Sequence, residues 1–458
     1  MLTRIEIDGF KSFCNFALDL EPFQVIVGPN GVGKSNLFDA IQLLARLTEN
    51  DLWTAFQASR GETEELFSLR PGGQTVDEMR FVVELLIEPR IEDERGRSTD
   101  LEITRLRYEL TIGREYDEEK KQHLLIKHEA LGRILVREDQ WLKQHPEAKR
   151  NHSKHSNRGA PFISTSKDEG QTTLALHQDG NAGRIRRTSA GLKERTVLGG
   201  LLGSTNTVEF PHAFAVREEI RRWRFLQLNP QVLRQPNHIR SLVTLSADGD
   251  NLARTLARIE LDDQYILNDI SRDLANLVPG FVNVEIDEDK TKDEYVIYAN
   301  NQDGRRFSSR TLSDGTLRLL ALITLANDPE YRGVLCFEEP ENGVHPFRVA
   351  LMAELLRDLA TDFNDQADAG QPLRQLLVNT HSPLLIAQLE DHELLFAYMP
   401  TRVDGDGNAI QVTCIASVIQ QAQMWPGQRQ ITRQQIEDYL HSADWGAAVK
   451  RLAGEDAV

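Results

Sequence analysis

One stretch of eight residues constrains this chain more than any other: Gly28-Pro29-Asn30-Gly31-Val32-Gly33-Lys34-Ser35. It sits between a short apolar run, Phe23–Val27, and a segment in which Leu37, Ile41 and Leu44 recur at helical spacing. Strand, glycine-rich turn and helix in immediate succession leave few folds open. The glycines let backbone N–H groups turn inward around an anion, and a helix starting near Lys34 aims its positive end the same way. Lys34 is suited to neutralise the β- and γ-phosphates of a nucleotide, and Ser35 offers a hydroxyl to Mg²⁺. Asn30, Gly31, Gly33 and Asn36 complete the expected phosphate contacts. ATP and Mg²⁺ are the expected ligands.

Other apolar strands also end in chemistry. Val334-Leu335-Cys336-Phe337 leads into Glu338-Glu339. Glu338 is placed to deliver a carboxylate to Mg²⁺, and Glu339 to orient the water that attacks the γ-phosphate. Alone, such a pair could be a strand emerging into solvent; beside a phosphate loop in one chain it reads as a site. Gln375–Asn379 leads into Thr380-His381-Ser382-Pro383, where His381 can donate to a γ-phosphate oxygen. Leu312-Ser313-Asp314-Gly315-Thr316 precedes a helical pattern, Leu317–Ala326, so that Ser313, Asp314 and Gly315 form a helix entrance that can receive an anion.

The remaining pattern is mixed. Leu2–Ile7 reads as a strand before a Gly9–Phe13 turn, and Met79–Ile87, Glu102–Ile112 and His123–Leu131 read as antiparallel strands. Residues 143–195 carry 11 Lys/Arg against 5 Asp/Glu and little periodicity. They suit a solvated insertion, or else a contact surface for nucleic acid or an acidic partner. Arg221-Arg222-Trp223-Arg224-Phe225 could grip nucleic acid by charge and stacking; the favoured alternative puts the aromatics in the core and the arginines on the surface. Asn251–Ile259 and Asp263–Leu277 read as helices, and Val282–Ile286 with Tyr295–Ala299 as a hairpin. From Leu312 onward, helices (Leu317–Ala326, Pro346–Leu359) alternate with strands (Val334–Phe337, Gln375–Asn379), the mark of a parallel sheet. No heptad tract predicts a long coiled coil.

A net charge of −17 argues against a general nucleic-acid coat. Cys14, Cys336 and Cys414 lack the paired spacing of a disulfide framework or a zinc site. Neither a leader pattern nor an apolar run of about 20 residues is read, so no membrane partner and a cytoplasmic location are expected.

In order, these motifs resemble those of ABC-type ATPases: Walker A at Gly28–Ser35, the signature at Leu312–Thr316, and Walker B with the catalytic glutamate at Val334–Glu339. The D-loop falls at Asn342–His345 and the switch histidine at His381. The Gly9–Phe13 turn and the phrase Glu338–Pro346 resemble the SMC/RecF/OLD branch, and stand-alone defence ATPases of the PtuA and AriA type within it. The chain departs from the wider family in having Glu338 where Asp is usual, and Asp314 and Thr316 in the signature.

The resemblance implies an α/β P-loop head with a mixed or parallel core sheet, an antiparallel β subdomain and a helical lobe. Expected domains are 1–114 (lobe I), 115–215 (insertion), 216–310 (return to lobe I and helical lobe) and 311–458 (lobe II). Gln227, with Gln74 behind it, is the candidate Q-loop metal ligand. The family works as head-to-tail dimers in which the signature of one copy meets the ATP of the other. An ATP-gated homodimer switch is therefore expected, with Glu339, His381 and Lys34 catalytic. About 77 residues follow His381, too few for a Toprim nuclease domain, so a separate effector, a nuclease or toxin, is the expected partner in anti-phage defence or DNA maintenance. A nucleotide-binding scaffold with little turnover, and an ATP-dependent DNA clamp of the RecF type, are the alternatives.

Overall fold

The computed structural model describes residues 1–70, 74–92, 96–156, 158–168, 171–179, 185–188, 194–201, 206–365, 371–403, 409–418, 433 and 436. At its centre is a six-stranded sheet in the order Arg224–Leu226, Gly333–Glu338, Arg374–Asn379, Phe23–Val27, Leu394–Tyr398 and Cys414–Ser417. All neighbours are parallel except the last pair. The four inner strands are buried almost throughout because both faces are covered. Side chains alternate between the faces, so Ile26, Cys336 and Leu377 join one core while Val25, Phe337 and Val378 join the other.

The first core is shared with the helix Lys34–Leu47 and with an eight-stranded antiparallel sheet, whose order is Ile185–Thr188, Gln171–His177, Ile163–Asp168, Gln122–Arg133, Arg105–Tyr116, Glu78–Leu86, Leu2–Asp8 and Phe16–Asp19. The second core takes the helices Leu252–Asp262, Gln264–Leu277, Asp314–Asn327 and Val349–Asp358. A small sheet built on the hairpin of Phe281–Asp289 with Glu294–Asn301 lies against Gln264–Leu277. Among the described residues no helix exceeds 14 residues, so none forms a long coiled coil. None is long and apolar enough to cross a membrane.

Three expectations need correction. The described part of 143–195 is not a loosely structured insertion: Ile163–Asp168, Gln171–His177 and Ile185–Thr188 extend the eight-stranded sheet. Ile163, Leu174 and Leu176 are buried there, which short alternating runs among polar residues had concealed. The fully buried Glu129 pins the next segment, accepting from the N–H of Val197 (2.7 Å) and Leu198 (3.1 Å) and from the Tyr108 hydroxyl (3.1 Å). The boundary expected after residue 114 falls inside the strand Arg105–Tyr116, which pairs continuously with Gln122–Arg133 apart from one bulge. The helix expected from Pro346 begins as a 3₁₀ turn, Pro346–Arg348, capped by His345, and becomes α-helical only at Val349.

Candidate active site

The phosphate loop leaves the end of Phe23–Val27 and enters the helix Lys34–Leu47 through three glycines at positive φ: Gly28 (149°), Gly31 (83°) and Gly33 (92°). A side chain at Gly28 would run into the Ala397 carbonyl, so the loop packs directly on the neighbouring strand. At Gly31 a Cβ would meet nothing within 4 Å, leaving that turn open. The helix has no acidic residue in its first turn and no side-chain cap among the described residues, so its first N–H groups are available to an anion.

Lys34 is buried, and its ammonium donates to the carbonyls of Gly28 and Pro29, both at 2.7 Å. Burial pushes it down to about 8, while Glu339 and Glu338 hold it up against that pull. Ser35 follows on the same turn, and the Asn379 side-chain amide reaches its hydroxyl at 3.5 Å.

Glu338 closes the strand Gly333–Glu338 and stands beside Asn379 in register. On its other side Leu226 pairs with Phe337, so Gln227 leaves its strand alongside Glu338 and is exposed there. Ser35, Glu338, Gln227 and Asn379 thus all lie at the same end of the sheet. The Asn379 Oδ1 is buried with no hydrogen-bond partner among the described residues. These oxygen donors suit a hard cation, and the residues present fit Mg²⁺. Gln74 precedes Thr75, which bridges to Leu69, and its carbonyl accepts from the Arg70 N–H.

Glu339 is the most constrained residue of the site. Its φ of 49° is a left-handed conformation that costs a non-glycine residue about 1–3 kcal/mol. Its N–H donates to the Asn379 carbonyl at 2.8 Å. Asn342 Nδ2 donates to one carboxylate oxygen at 2.6 Å, and His381 Nε2 lies 2.9 Å from the other. Next to His381, the Thr380 hydroxyl donates to Glu341, whose other oxygen is buried without a partner among the described residues. Burial raises the Glu341 carboxyl above its ordinary range against that hydrogen bond.

The helix Asp314–Asn327 is capped by Ser313, which accepts from the Thr316 N–H at 3.2 Å. Asp314 is ion-paired to Arg234, which offsets a carboxylate that would otherwise repel an anion at the helix entrance. A Cβ on Gly315 would lie 2.5 Å from the Gly343 carbonyl, so this helix entrance packs on the turn at Gly343 of its own chain. Within one chain the structure therefore joins Ser35 to Asn379 and Glu339 to His381, and brings Lys34 within electrostatic reach of Glu339 and Glu338; Asp314 and Gly315 sit against Gly343.

The arginines expected at the surface are partly drawn in. Trp223 is buried as expected, but Arg222 and Arg224 are half-buried and held below their ordinary value chiefly by desolvation. Arg221 pairs with Glu218 on the helix Pro211–Arg221.

Sequence reasoning missed Ser12 and Thr413, whose hydroxyls meet at 2.6 Å beside the loop. Ser12 lies in the Gly9–Phe13 turn, which carried only a resemblance, and nothing local marks Thr413. A cavity of about 850 Å³ opens here, lined in part by Lys11, Ser12, Asn36, Met399 and Ile410.

A 41-residue segment is 56% identical to the chromosome partition protein Smc of Methanocaldococcus jannaschii, covering 9% of this chain and 4% of that protein. The chain thus spans a small fraction of that relative's length. Among solved structures, an Smc head bound to the C-winged helix domain of ScpA shares 15% identity over 92% of this chain and 98% of that one, with a TM-score of 0.46. The SMC head domain from Thermotoga maritima shares 14% over 92% and 99%, with a TM-score of 0.37. A family profile described as "AAA domain, putative AbiEii toxin, Type IV TA system" matches residues 23–387, from the strand that feeds the loop to beyond His381. The match takes in the phosphate loop, the acid-ended strand and His381, which lie at one end of the central sheet, and the chain belongs to this AAA-domain family.

Proposed function

We propose that this chain hydrolyses ATP and works as an ATP-gated switch, closing head to tail with a second copy of itself. The observation that carries the reading is Glu339, held at a positive φ between Asn342 and His381 at the end of a buried strand. Backbone strain of this kind persists where the surrounding contacts over-determine it, and it clusters at reactive sites. Lys34 and the first turn of its helix would hold the triphosphate, and Ser35, Glu338 and Gln227 would hold Mg²⁺. The bound ion supplies charge neutralisation across the phosphate oxygens. Glu339 would orient and deprotonate the attacking water, and His381 would exchange Glu339 for a γ-phosphate oxygen.

Pairing of two copies is supported by exposed apolar side chains in the segments that leave Glu339 and His381: Phe347 (90% exposed), Leu351 (41%) and Leu384 (50%). In that arrangement Ser313, Asp314 and Gly315 of one copy complete the phosphate site of the other. Output through a separate effector, a nuclease or toxin, in a cytoplasmic defence or DNA-maintenance assembly is the wider form of this proposal. It is motivated by the family resemblance.

Complementation tests the shared site. A Lys34→Ala chain and a Ser313→Arg chain should each be inactive alone. Mixed one to one, they should regain roughly a quarter of wild-type turnover, because half the pairs hold one intact composite site. A mixture as dead as its components, while wild type hydrolyses ATP, would exclude the head-to-tail site.

A further inference from the structure

We propose that Thr413 is a positioning residue for the phosphate loop, the last link of a directed hydrogen-bond chain that sets the loop's backbone from a strand distant in sequence. The proposal rests on reading that loop as the ATP site.

Thr413 lies just before the edge strand Cys414–Ser417, and its N–H donates to the Ser12 carbonyl at 2.9 Å. Its hydroxyl lies 2.8 Å from the Val32 carbonyl and 2.6 Å from the Ser12 hydroxyl. Asn36 Nδ2 lies 2.8 Å from that same Ser12 oxygen. A hydroxyl has one proton to give and two lone pairs. The Val32 carbonyl can only accept, so the Thr413 proton goes there. Ser12 must then donate to Thr413, and Asn36 donates to Ser12. The chain has one direction: Asn36 to Ser12 to Thr413 to Val32.

The last bond matters most. In a trans peptide the carbonyl of one residue and the N–H of the next point in opposite directions. Drawing the Val32 carbonyl outward onto Thr413 therefore turns the Gly33 N–H inward, toward the space enclosed by the loop. Gly33 itself, at φ 92°, has no room for a Cβ, which would collide with the Thr413 and Ser12 hydroxyls. Conformation and crowding both fix glycine there, and the closest crowding atom belongs to Thr413, far along the chain from the loop.

The test is nucleotide affinity of the full chain, measured by equilibrium binding of fluorescent ATP and ADP, with melting temperature recorded alongside. Thr413→Val keeps the shape and removes both hydroxyl bonds; it should weaken both nucleotides about tenfold. Thr413→Ser restores the donor and should bind within about twofold of wild type. Ser12→Ala interrupts the same chain one link earlier, so the double variant should be no weaker than the weaker single variant.

The proposal is overturned if folded Thr413→Val binds like wild type, if Thr413→Ser is as weak as Thr413→Val, or if the two losses multiply. Should Thr413→Val fail to fold, Ser12→Ala carries the same expectation, and wild-type affinity in it overturns the proposal. Wild-type protein that binds no ATP would instead remove the site assignment on which the proposal stands.

Discussion

His381 Nε2 lies 2.9 Å from Glu339 Oε1, joining residues that follow the ends of adjacent parallel strands. Asn342 holds the other carboxylate oxygen, so Glu339 is gripped from both sides at a backbone angle that glycine would ordinarily occupy. Glu339→Gln keeps shape and backbone while removing the base. Turnover should fall at least about a hundredfold with ATP affinity retained. Phosphate release and nucleotide binding measured on the same sample separate the two effects; unchanged turnover would remove Glu339 from the mechanism.

Lys34 predicts opposite pH trends for binding and for stability. Burial, opposed by Glu339 and Glu338, places its folded value near 8 against an ordinary 10.5. Between these limits the unfolded chain binds more protons than the folded one, so this group makes stability rise with pH from about 8 upward. ATP needs the charged form, so affinity should hold through neutrality and fall above pH 8, by at most about tenfold per pH unit. Calorimetric titration and thermal unfolding across that range test both slopes. Lys34→Met should abolish binding and flatten the stability slope.

Glu129 supplies a second pH signal, far from the catalytic end of the sheet. Burial pushes its carboxyl up to about 7, against the opposing hydrogen bonds of Val197, Leu198 and Tyr108. A folded value above the unfolded one means that its contribution is full in acid and is lost as pH rises through about 7. Glu129→Gln turns an N–H₂ toward backbone donors and should cost about 2 kcal/mol. It should also accelerate amide exchange at 196–201. Denaturant titrations at pH 5.5 and 8 check the cost and its sign; a variant as stable as wild type at both would contradict the anchoring role.

Gly315→Ala tests the contact between signature entrance and D-loop. The added Cβ meets the Gly343 carbonyl at 2.5 Å, and because that atom is backbone, the helix or the loop must shift. The expected cost is about 1–3 kcal/mol of stability. Turnover should be lost while nucleotide affinity persists, because the phosphate loop is not displaced. A variant of unaltered turnover and stability would show that the packing is not needed.

Much of the catalytic end was legible because its residues are local in sequence. Gly28–Ser35, Glu338-Glu339 and His381 each follow an apolar strand directly, and a parallel sheet brings successive strand ends to one edge. The insertion was misread for the opposite reason. Ile163–Asp168 and Gln171–His177 are short and polar, and only their neighbours in the sheet make them strands. Leu394–Tyr398 was not anticipated, although it packs directly beside the phosphate-loop strand.

The sequence by itself determined that the chain carries a glycine-rich loop, an acid-ended strand and a strand-end histidine in a fixed order, because strand-to-turn chemistry is written in consecutive residues. Only the tertiary structure decided that Glu339 is gripped by His381 and Asn342, that Gln227 stands beside Glu338, and that Thr413 holds Val32. Those are contacts between segments distant along the chain, set by strand order and backbone angle, for which local residue pattern holds no record.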